Sequence, residues 1–317
     1  MSTKKSMLRR VEHYLVCRRR LGFGLKIEGA ELVRFARYAD AQGHTGALTT
    51  ELAVTWARLP TDASRLYWAR RLDVVRRFAK FELTDEPSTH VPPPGLFGPS
   101  YRRPSVHIYT QAQITSLLGA ASRMGPVRGL RPRTFVTLFG LLASTGLRIS
   151  EALRLTIHDI DWDQARLKVR ESKFKGSRLL PLHDSTVKAL REYSQFRRRY
   201  HGPLKSESFF VTERATPLKY WRTIMAFSRL RQSLRWDRLD PRPRIHDLRH
   251  TFAVRCLLRW YQNGENVDQM ILALQTYLGH KKVTDTYWYL TAVPDLMAQG
   301  ALRSELFVRK EGAASCK

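Results

Sequence analysis

The stretch that decides the fold is His246-Asp247-Leu248-Arg249-His250, in the last third of the chain. Residues three apart on a helix share one face, so the side chains of His246 and Arg249 point the same way. A guanidinium can hold two phosphate oxygens at once and keeps its charge near neutrality. An imidazole, with an ordinary pKa of about 6.5, can hydrogen bond or transfer a proton. The pair therefore has the chemistry of a clamp on a phosphate group.

Three other short segments carry residues suited to the same chemistry. They are Thr145-Gly146-Leu147-Arg148-Ile149-Ser150-Glu151, the turn residue Lys173, and Leu278-Gly279-His280 with Tyr289. Each is common by itself, whereas the whole set in this order, with nine positions from His280 to Tyr289, is specific. Together with the first stretch, these segments resemble the tyrosine recombinase (integrase) family, from about Tyr109 to the end of the chain.

The resemblance implies a role for each residue. Arg148 and Arg249 are expected to hold the DNA phosphate that is cut, and His246 and His280 to hydrogen bond or handle protons there. Tyr289 is expected to be the nucleophile, which leaves a 3′-phosphotyrosine and a free 5′-hydroxyl. Because this linkage stores the bond energy, the reaction needs no ATP. The cations replace the metal ions of two-metal nucleases, so we expect no cofactor and no metal.

The resemblance assigns protonation of the leaving 5′ oxygen to Lys173. Counting back from Arg178, in the strand that follows the turn, selects Lys173, and Lys175 is its competitor. For either lysine, a plain contact with the DNA backbone is the alternative.

Three other assignments have structural alternatives. Spacing from His280 favours Tyr289 over Tyr287, but both tyrosines could belong to an aromatic patch that packs on the core. His280 could instead cap a helix. Glu151 follows Arg148 by three positions, and either orients it, as the family pattern implies, or forms a simple surface ion pair.

The spacing of apolar residues and of prolines divides the chain. Apolar residues recur at helical spacing from Ser6 to about Glu82, and proline and glycine crowd residues 84–104. Leu167 and Val169 alternate with basic residues, which is typical of a half-exposed β-hairpin.

From this spacing and the resemblance together, we predict a helical DNA-binding domain at residues 1–85, a linker at 86–106 and a catalytic domain at 107–317. The resemblance implies a mainly α fold with a small antiparallel β-sheet. In that fold, a helical core-binding domain precedes an α+β catalytic domain of the tyrosine recombinase and type IB topoisomerase type. The interval from His246 to His280 is longer than in many relatives, and we expect its extra residues to form a loop or an extended helix.

The chain of 317 residues carries 55 Lys+Arg against 28 Asp+Glu, a formal net charge of +27. This balance indicates a polyanionic partner, for which double-stranded DNA is the first candidate and acidic lipid an alternative. Some arginines in the N-terminal helices are candidates for contacts with the DNA backbone, with solvated helix faces as the alternative. They are Arg18, Arg19, Arg70, Arg71 and Arg76.

No apolar stretch approaches the ~20 residues that span a bilayer, so we expect a cytoplasmic protein without a membrane partner. With the resemblance, we expect it to be bacterial and DNA-associated. The cysteines lack zinc-ligand spacing and are expected to be reduced thiols.

The resemblance implies a site-specific recombinase that acts as a tetramer on DNA with specific recombination sites, in integration, excision or transposition of a mobile element. Whether a partner recombinase joins the complex stays open. A type IB topoisomerase and a catalytically silent DNA-binding relative are the alternatives. Apolar spacing from Leu296 to Phe307 predicts a C-terminal helix that docks on a neighbouring protomer or on its own domain.

Overall fold

The computed structural model of the chain describes residues 6–102, 105–126, 128–170, 177–203, 206–280, 282 and 284–292. The chain divides into two compact units, Met1–Pro104 and Ser105–Lys317. The described residues are mainly helical, with one three-stranded antiparallel sheet, and the predicted fold class is confirmed. Within these ranges, no helix is long and apolar enough to cross a membrane.

The first unit is a helical bundle. Its described helices are α1 (Met7–Arg20), α2 (Lys26–Ala41), α3 (Thr50–Arg58) and α4 (Arg65–Glu82). Ser6, Thr49 and Ser64 begin three of these helices, because each side chain accepts a hydrogen bond from a backbone N–H of the first turn. The core is aromatic, with Phe35 packed edge-on against Trp56 at 5.3 Å between ring centroids.

Arg71 is part of this core. The side chain is buried, its guanidinium lies 3.8 Å from the centroid of the Trp56 ring, and its Nη2 donates to the Trp56 carbonyl over 2.9 Å. Its Nη1 lies 3.6 Å from Glu31. The structure therefore uses Arg71 inside the first unit, and the expected contact of Arg71 with DNA finds no support.

Most of the segment predicted as a linker packs on the first unit. The backbone N–H of His90 donates to the Leu48 carbonyl over 2.8 Å, and the ring of Phe97 lies 5.9 Å from that of Trp68. Arg70 donates from its Nε to the Ser100 carbonyl over 3.2 Å. The division between the units consequently falls at Pro104, because Val91 and Phe97 pack, partly buried, against the core of the first unit.

The second unit alternates helices with a small sheet. Its described helices are α5 (Gln111–Ser122), α6 (Leu130–Thr145), α7 (Ile149–Ala152), α8 (Asp184–His201), α9 (Tyr220–Ser233), α10 (His246–Gln262), α11 (Val267–Leu278) and α12 (Thr284–Ala292), and its strands are β1 (Ile160–Asp161), β2 (Arg166–Val169) and β3 (Arg178–Pro181). The long interval before His280 is thus filled by the end of α10, a short turn and α11. The predicted C-terminal helix lies outside the described residues.

The sheet has the order β1-β2-β3, and Leu167 pairs with Leu180 while Val169 pairs with Arg178. Leu167 and Val169 are buried, as their alternation with basic residues predicted. Lys173 and Lys175 lie between β2 and β3 in the sequence, outside the described residues.

Two apolar clusters position the helices of the second unit. The larger is built around α6, where Phe135, Leu138 and Phe139 are buried. The smaller joins α10, α11 and α12 through residues such as Val254 and Ile271. Since α10 packs on both α6 and α12, this helix brings the distant sequence motifs together.

Gly146 ends α6 with φ +62°, and a Cβ on it would lie 2.6 Å from Cδ1 of Phe252. We expect Gly146→Ala to lower the free energy of unfolding by roughly 1–3 kcal/mol, because alanine is strained at this φ and would press on the ring. Urea denaturation followed by circular dichroism measures the change.

Gly140→Ala is the matched control, since Gly140 lies in the same helix with open space around its Cα. Alanine there should be neutral or raise stability by about 0.5–1 kcal/mol. Equal effects of the two substitutions would contradict the role given to Gly146.

Candidate active site

Two arginines of the sequence motifs meet at the end of α11. Arg249, on α10, is 2% exposed and donates from Nη1 to the Gly146 carbonyl over 2.8 Å and from Nη2 to the Leu278 carbonyl over 2.7 Å. Arg148 donates from Nη2 to the Gly279 carbonyl over 3.1 Å. Burial, and then the positive charge of Arg148, lower the pKa of Arg249 to about 10, so the Arg249 guanidinium stays charged at neutrality. The ends of α6 and α11 are thereby tied to α10.

Glu151 holds Arg148 in place. Its Oε1 accepts from Nη1 of Arg148 over 2.9 Å, and its Oε2 accepts from the backbone N–H of Arg148 over 3.0 Å. Burial by itself raises the pKa of this carboxyl, but hydrogen bonds and charge from Arg178 and Arg148 outweigh it and lower the pKa to about 2. With a side chain 1% exposed, Glu151 is a buried anion between cations and not a partner in a surface ion pair.

Arg178 is the second partner of Glu151, and sequence reasoning gave it no role beyond that of a landmark. Its Nη1 and Nη2 donate to the two oxygens of Glu151 over 3.2 and 2.9 Å, and its Nε donates to the Tyr277 carbonyl over 2.7 Å. The only sequence signal is its position directly after a basic turn, which does not specify a partner 27 residues away.

Three histidines lie beside the arginines. The His246 and His250 rings meet edge-on with 4.6 Å between centroids, and Nδ1 of His280 lies 2.8 Å from Oγ1 of Thr286. Burial is the largest cause that lowers the pKa of each ring, and the positive charge of Arg249 adds to it. The pKa falls to about 4 for His246 and to about 3 for His250 and His280. All three imidazoles are therefore neutral at pH 7.

His280 follows the residue that ends α11. Gly279 takes the left-handed conformation with φ +66°, and the backbone N–H of His280 closes the helix by donating to the Gln275 carbonyl over 3.0 Å. The backbone of His280 thus completes the helix end, while its ring stacks on that of Tyr289 at 6.2 Å between centroids. The alternative of a structural cap applies to the backbone, and the side chain points into the cluster.

Tyr289 lies on α12 with only 2% of its surface exposed. Its hydroxyl lies within hydrogen-bond distance of Nδ1 of His250, at 3.2 Å, and its ring lies 5.5 Å from that of Trp288. Tyr287, two residues earlier, is 41% exposed. The structure therefore brings Tyr289 and not Tyr287 to the histidines.

The structure unites most of the residues singled out from sequence. Arg148, Glu151, His246, Arg249, His280 and Tyr289 come together, whereas Lys173 and Lys175 lie outside the described residues. His250 had no expected role, although its spacing of four from His246 places both on one helix face. In the described part of the chain, no group of three or more His, Cys, Asp or Glu side chains could hold a metal ion.

Four of the candidate DNA-contact arginines, besides Arg71, lie on the first unit with differing exposure. Arg19 and Arg70 are exposed, whereas Arg18 is half-buried with its guanidinium 3.9 Å from the centroid of the Phe23 ring. Arg76 is half-buried and paired with Asp73.

We expect Glu151→Gln to lower the free energy of unfolding by about 3 kcal/mol at pH 7, because the half-buried guanidiniums of Arg148 and Arg178 lose their buried counter-charge. The folded-state pKa of Glu151, about 2, lies below the ordinary 4.5. The carboxylate therefore stabilises the fold fully above about pH 4.5, and this stabilisation is lost as the pH falls toward 2. Urea denaturation at pH 7, 5 and 3.5 measures the difference between the two proteins.

Glu192→Gln, at an exposed position on α8, is the control for loss of one negative charge and should change stability by less than about 0.5 kcal/mol. A difference between wild type and Glu151→Gln that stays constant from pH 7 to 3.5 would show that the charge of Glu151 contributes nothing.

Comparison with known proteins gives one consistent answer. The phage integrase family profile matches residues 108–294. The integrase/recombinase y4rB of Sinorhizobium fredii is 41% identical over 306 residues, which are 93% of this chain and 96% of that protein. Tyrosine recombinase XerD of Caulobacter vibrioides is 29% identical over 255 residues, or 77% of this chain and 76% of its own.

A solved structure shares the fold. It is the Tn1549 transposon integrase in complex with transposon right end DNA, with a TM-score of 0.64 at 18% identity, covering 90% of this chain and 94% of that one. The family profile spans more than half of the chain, and y4rB is similar over nearly all of it. The chain therefore belongs to the phage integrase family, and it is a site-specific recombinase of the tyrosine type.

Proposed function

We propose that this recombinase cuts and rejoins double-stranded DNA through a 3′-phosphotyrosine on Tyr289. The proposal rests on the groups that surround the side chain of Tyr289. Its hydroxyl contacts His250, its ring stacks on His280, and the chain immediately before His280 is held by Arg148 and Arg249. A nucleophile, proton-handling groups and fixed cations thus occupy one site.

The arginines have the task of holding the phosphate. A guanidinium carries five N–H donors, so bonds to backbone carbonyls fix its plane and leave further donors for phosphate oxygens. Arg249 is fixed by Gly146 and Leu278, and Arg148 by Glu151 and Gly279. Donors already in place stabilise the charge that develops on the non-bridging oxygens without reorganisation.

The leaving 5′ oxygen must gain a proton as its bond to phosphorus breaks. Lys173 is our proposed donor, with Lys175 as the alternative, and both lie between β2 and β3 in the sequence. His246 and His280, neutral at pH 7, act as hydrogen-bond donors to the phosphate. The 5′-hydroxyl of another strand can then attack the phosphotyrosine and reseal the DNA.

The assembly and its setting belong to the same proposal. We infer that residues 1–85 form a DNA-binding domain, in which Arg18, Arg19, Arg70 and Arg76 contact the backbone, and that residues 107–317 form the catalytic domain. The net charge of +27 supports DNA as partner. The similarity to a transposon integrase bound to transposon end DNA supports a role in moving a mobile element, and we propose that the protein does so as a tetramer on DNA.

The test is covalent trapping on a nicked suicide DNA that carries the recombination site. Cleavage releases a short 5′-hydroxyl fragment, so the phosphotyrosine cannot be reversed and a protein–DNA adduct accumulates. We expect Tyr289→Phe to abolish the adduct, because phenylalanine has no oxygen to attack phosphorus. A denaturing gel measures the adduct, and a gel-shift assay shows that the variant still binds the DNA.

Tyr287→Phe is the matched control and should form the adduct at the rate of the unsubstituted protein. An adduct that persists in Tyr289→Phe, or that disappears only in Tyr287→Phe, would refute Tyr289 as nucleophile.

A further inference from the structure

One histidine of the cluster touches the reacting atom of the proposed nucleophile. The Tyr289 hydroxyl lies 3.2 Å from Nδ1 of His250, with the rings 5.5 Å apart at 61°. In the tautomer that carries its ring proton on Nε2, Nδ1 offers a lone pair that can accept the phenolic proton. A proton acceptor must lie within such a distance of the proton that it removes.

We propose that His250 is a further catalytic residue, which takes the proton of Tyr289 as the phenol attacks the DNA phosphate. This inference rests on the proposed function, since it requires Tyr289 to be the nucleophile. It gives the cluster a division of labour, in which the arginines serve the phosphate, the turn lysine serves the leaving oxygen and His250 serves the nucleophile.

The step balances without any co-reactant. As the bond from Oη of Tyr289 to phosphorus forms, the phenolic proton moves to Nδ1 of His250 and the bond from phosphorus to the 5′ oxygen breaks. The 5′ oxygen leaves with a proton from its own donor. In the rejoining step, the imidazolium of His250 returns its proton to the phenolate oxygen as the 5′-hydroxyl attacks. Each half-reaction therefore regenerates the acid and the base that the other half needs.

The position of His250 is fixed by its helix and its neighbours. It lies four residues after His246 and one after Arg249 on α10, so one helix carries both the phosphate clamp and the proton acceptor. The rings of His246 and Trp288 pack on it at 4.6 and 5.5 Å between centroids. A side chain packed on these sides keeps Nδ1 directed at the phenol.

The surroundings of His250 keep it able to accept a proton at pH 7. Burial is the first cause that lowers its pKa to about 3, followed by His246 and Arg249 on its own helix, Arg244 just before that helix and His280 after α11. The phenol of Tyr289 faces it from α12. A bound phosphate brings negative charge to the same cations. It offsets the repulsion that lowers the pKa and so makes His250 a stronger base when DNA is in the site.

The experiment compares His250→Asn with His250→Leu on the nicked suicide DNA. The asparagine carboxamide can accept the hydrogen bond of the phenol but cannot take its proton, whereas leucine can do neither. We expect both variants to bind the DNA within about twofold of wild type and to form the adduct about 100-fold more slowly or less, since a general base typically contributes 10²–10⁴-fold.

Two further readouts identify the role. A substrate with sulfur in place of the bridging 5′ oxygen needs no proton on its leaving group. It should therefore raise the rate of adduct formation by a Lys173→Ala variant and leave the rates of both His250 variants low. Without an acceptor, only the ionised phenol attacks, so the rate of His250→Asn should rise about tenfold per pH unit between pH 7 and 9. The unsubstituted protein should change much less over this range.

His201→Asn is the matched control, because His201 is also half-buried in the second unit and bonds the Thr212 carbonyl over 3.1 Å. It should cleave at the wild-type rate. The proposal is overturned if His250→Asn forms the adduct within about threefold of the wild-type rate while His250→Leu stays slow, because His250 would then only position the phenol. It is also overturned if the sulfur substrate restores the rate of either variant. An adduct in Tyr289→Phe overturns the proposed function instead, which separates the two failures.

Discussion

The buried carboxylate of Glu151 is the constraint on which the site depends. An anion taken out of water costs several kcal/mol, and only well-placed partners offset that cost. Here Arg148 and Arg178 donate to both of its oxygens. Since Arg148 precedes α7 and Arg178 begins β3, this one carboxylate fixes the helix that follows T-G-L-R against the strand that follows the basic turn.

These two arginines and Arg249 also hold the end of α11. The last carbonyls of a helix lack intrahelical partners and carry partial negative charge, which favours cations there. Arg178 binds the Tyr277 carbonyl, Arg249 binds that of Leu278 and Arg148 binds that of Gly279. Three guanidiniums can therefore lie close together despite their mutual repulsion. His280, the next residue, takes its position from this arrangement.

Sequence patterns predicted the parts of the structure that depend on local spacing. Helical periodicity and the alternation of Leu167 with its neighbours predicted helices and a hairpin. The resemblance carried by the motifs implied the fold class, and the spacing from His280 favoured Tyr289 over Tyr287. Contacts between distant residues carried no such signal. No motif or spacing near Glu151 or Arg178 predicts that the two side chains pair. Likewise, the proline-rich sequence around Phe97 does not predict that its ring packs on Trp68. Arg71 looked like its exposed neighbours because one step along a helix decides between core and solvent.

Helix α10 sets the distance between the arginine that holds the phosphate and the histidine that contacts the nucleophile. His246, Arg249 and His250 occupy positions i, i+3 and i+4, so they share one face within about 6 Å of helix rise. Arg249 reaches toward α6 and α11, and His250 reaches toward α12. The phosphate-holding cations and the nucleophile's partner are thus parts of one rigid element packed between two apolar clusters. Helix geometry sets the spacing of these three residues. Arg148, His280 and Tyr289 lie outside α10, and packing that sequence spacing alone does not encode has to bring them to this face.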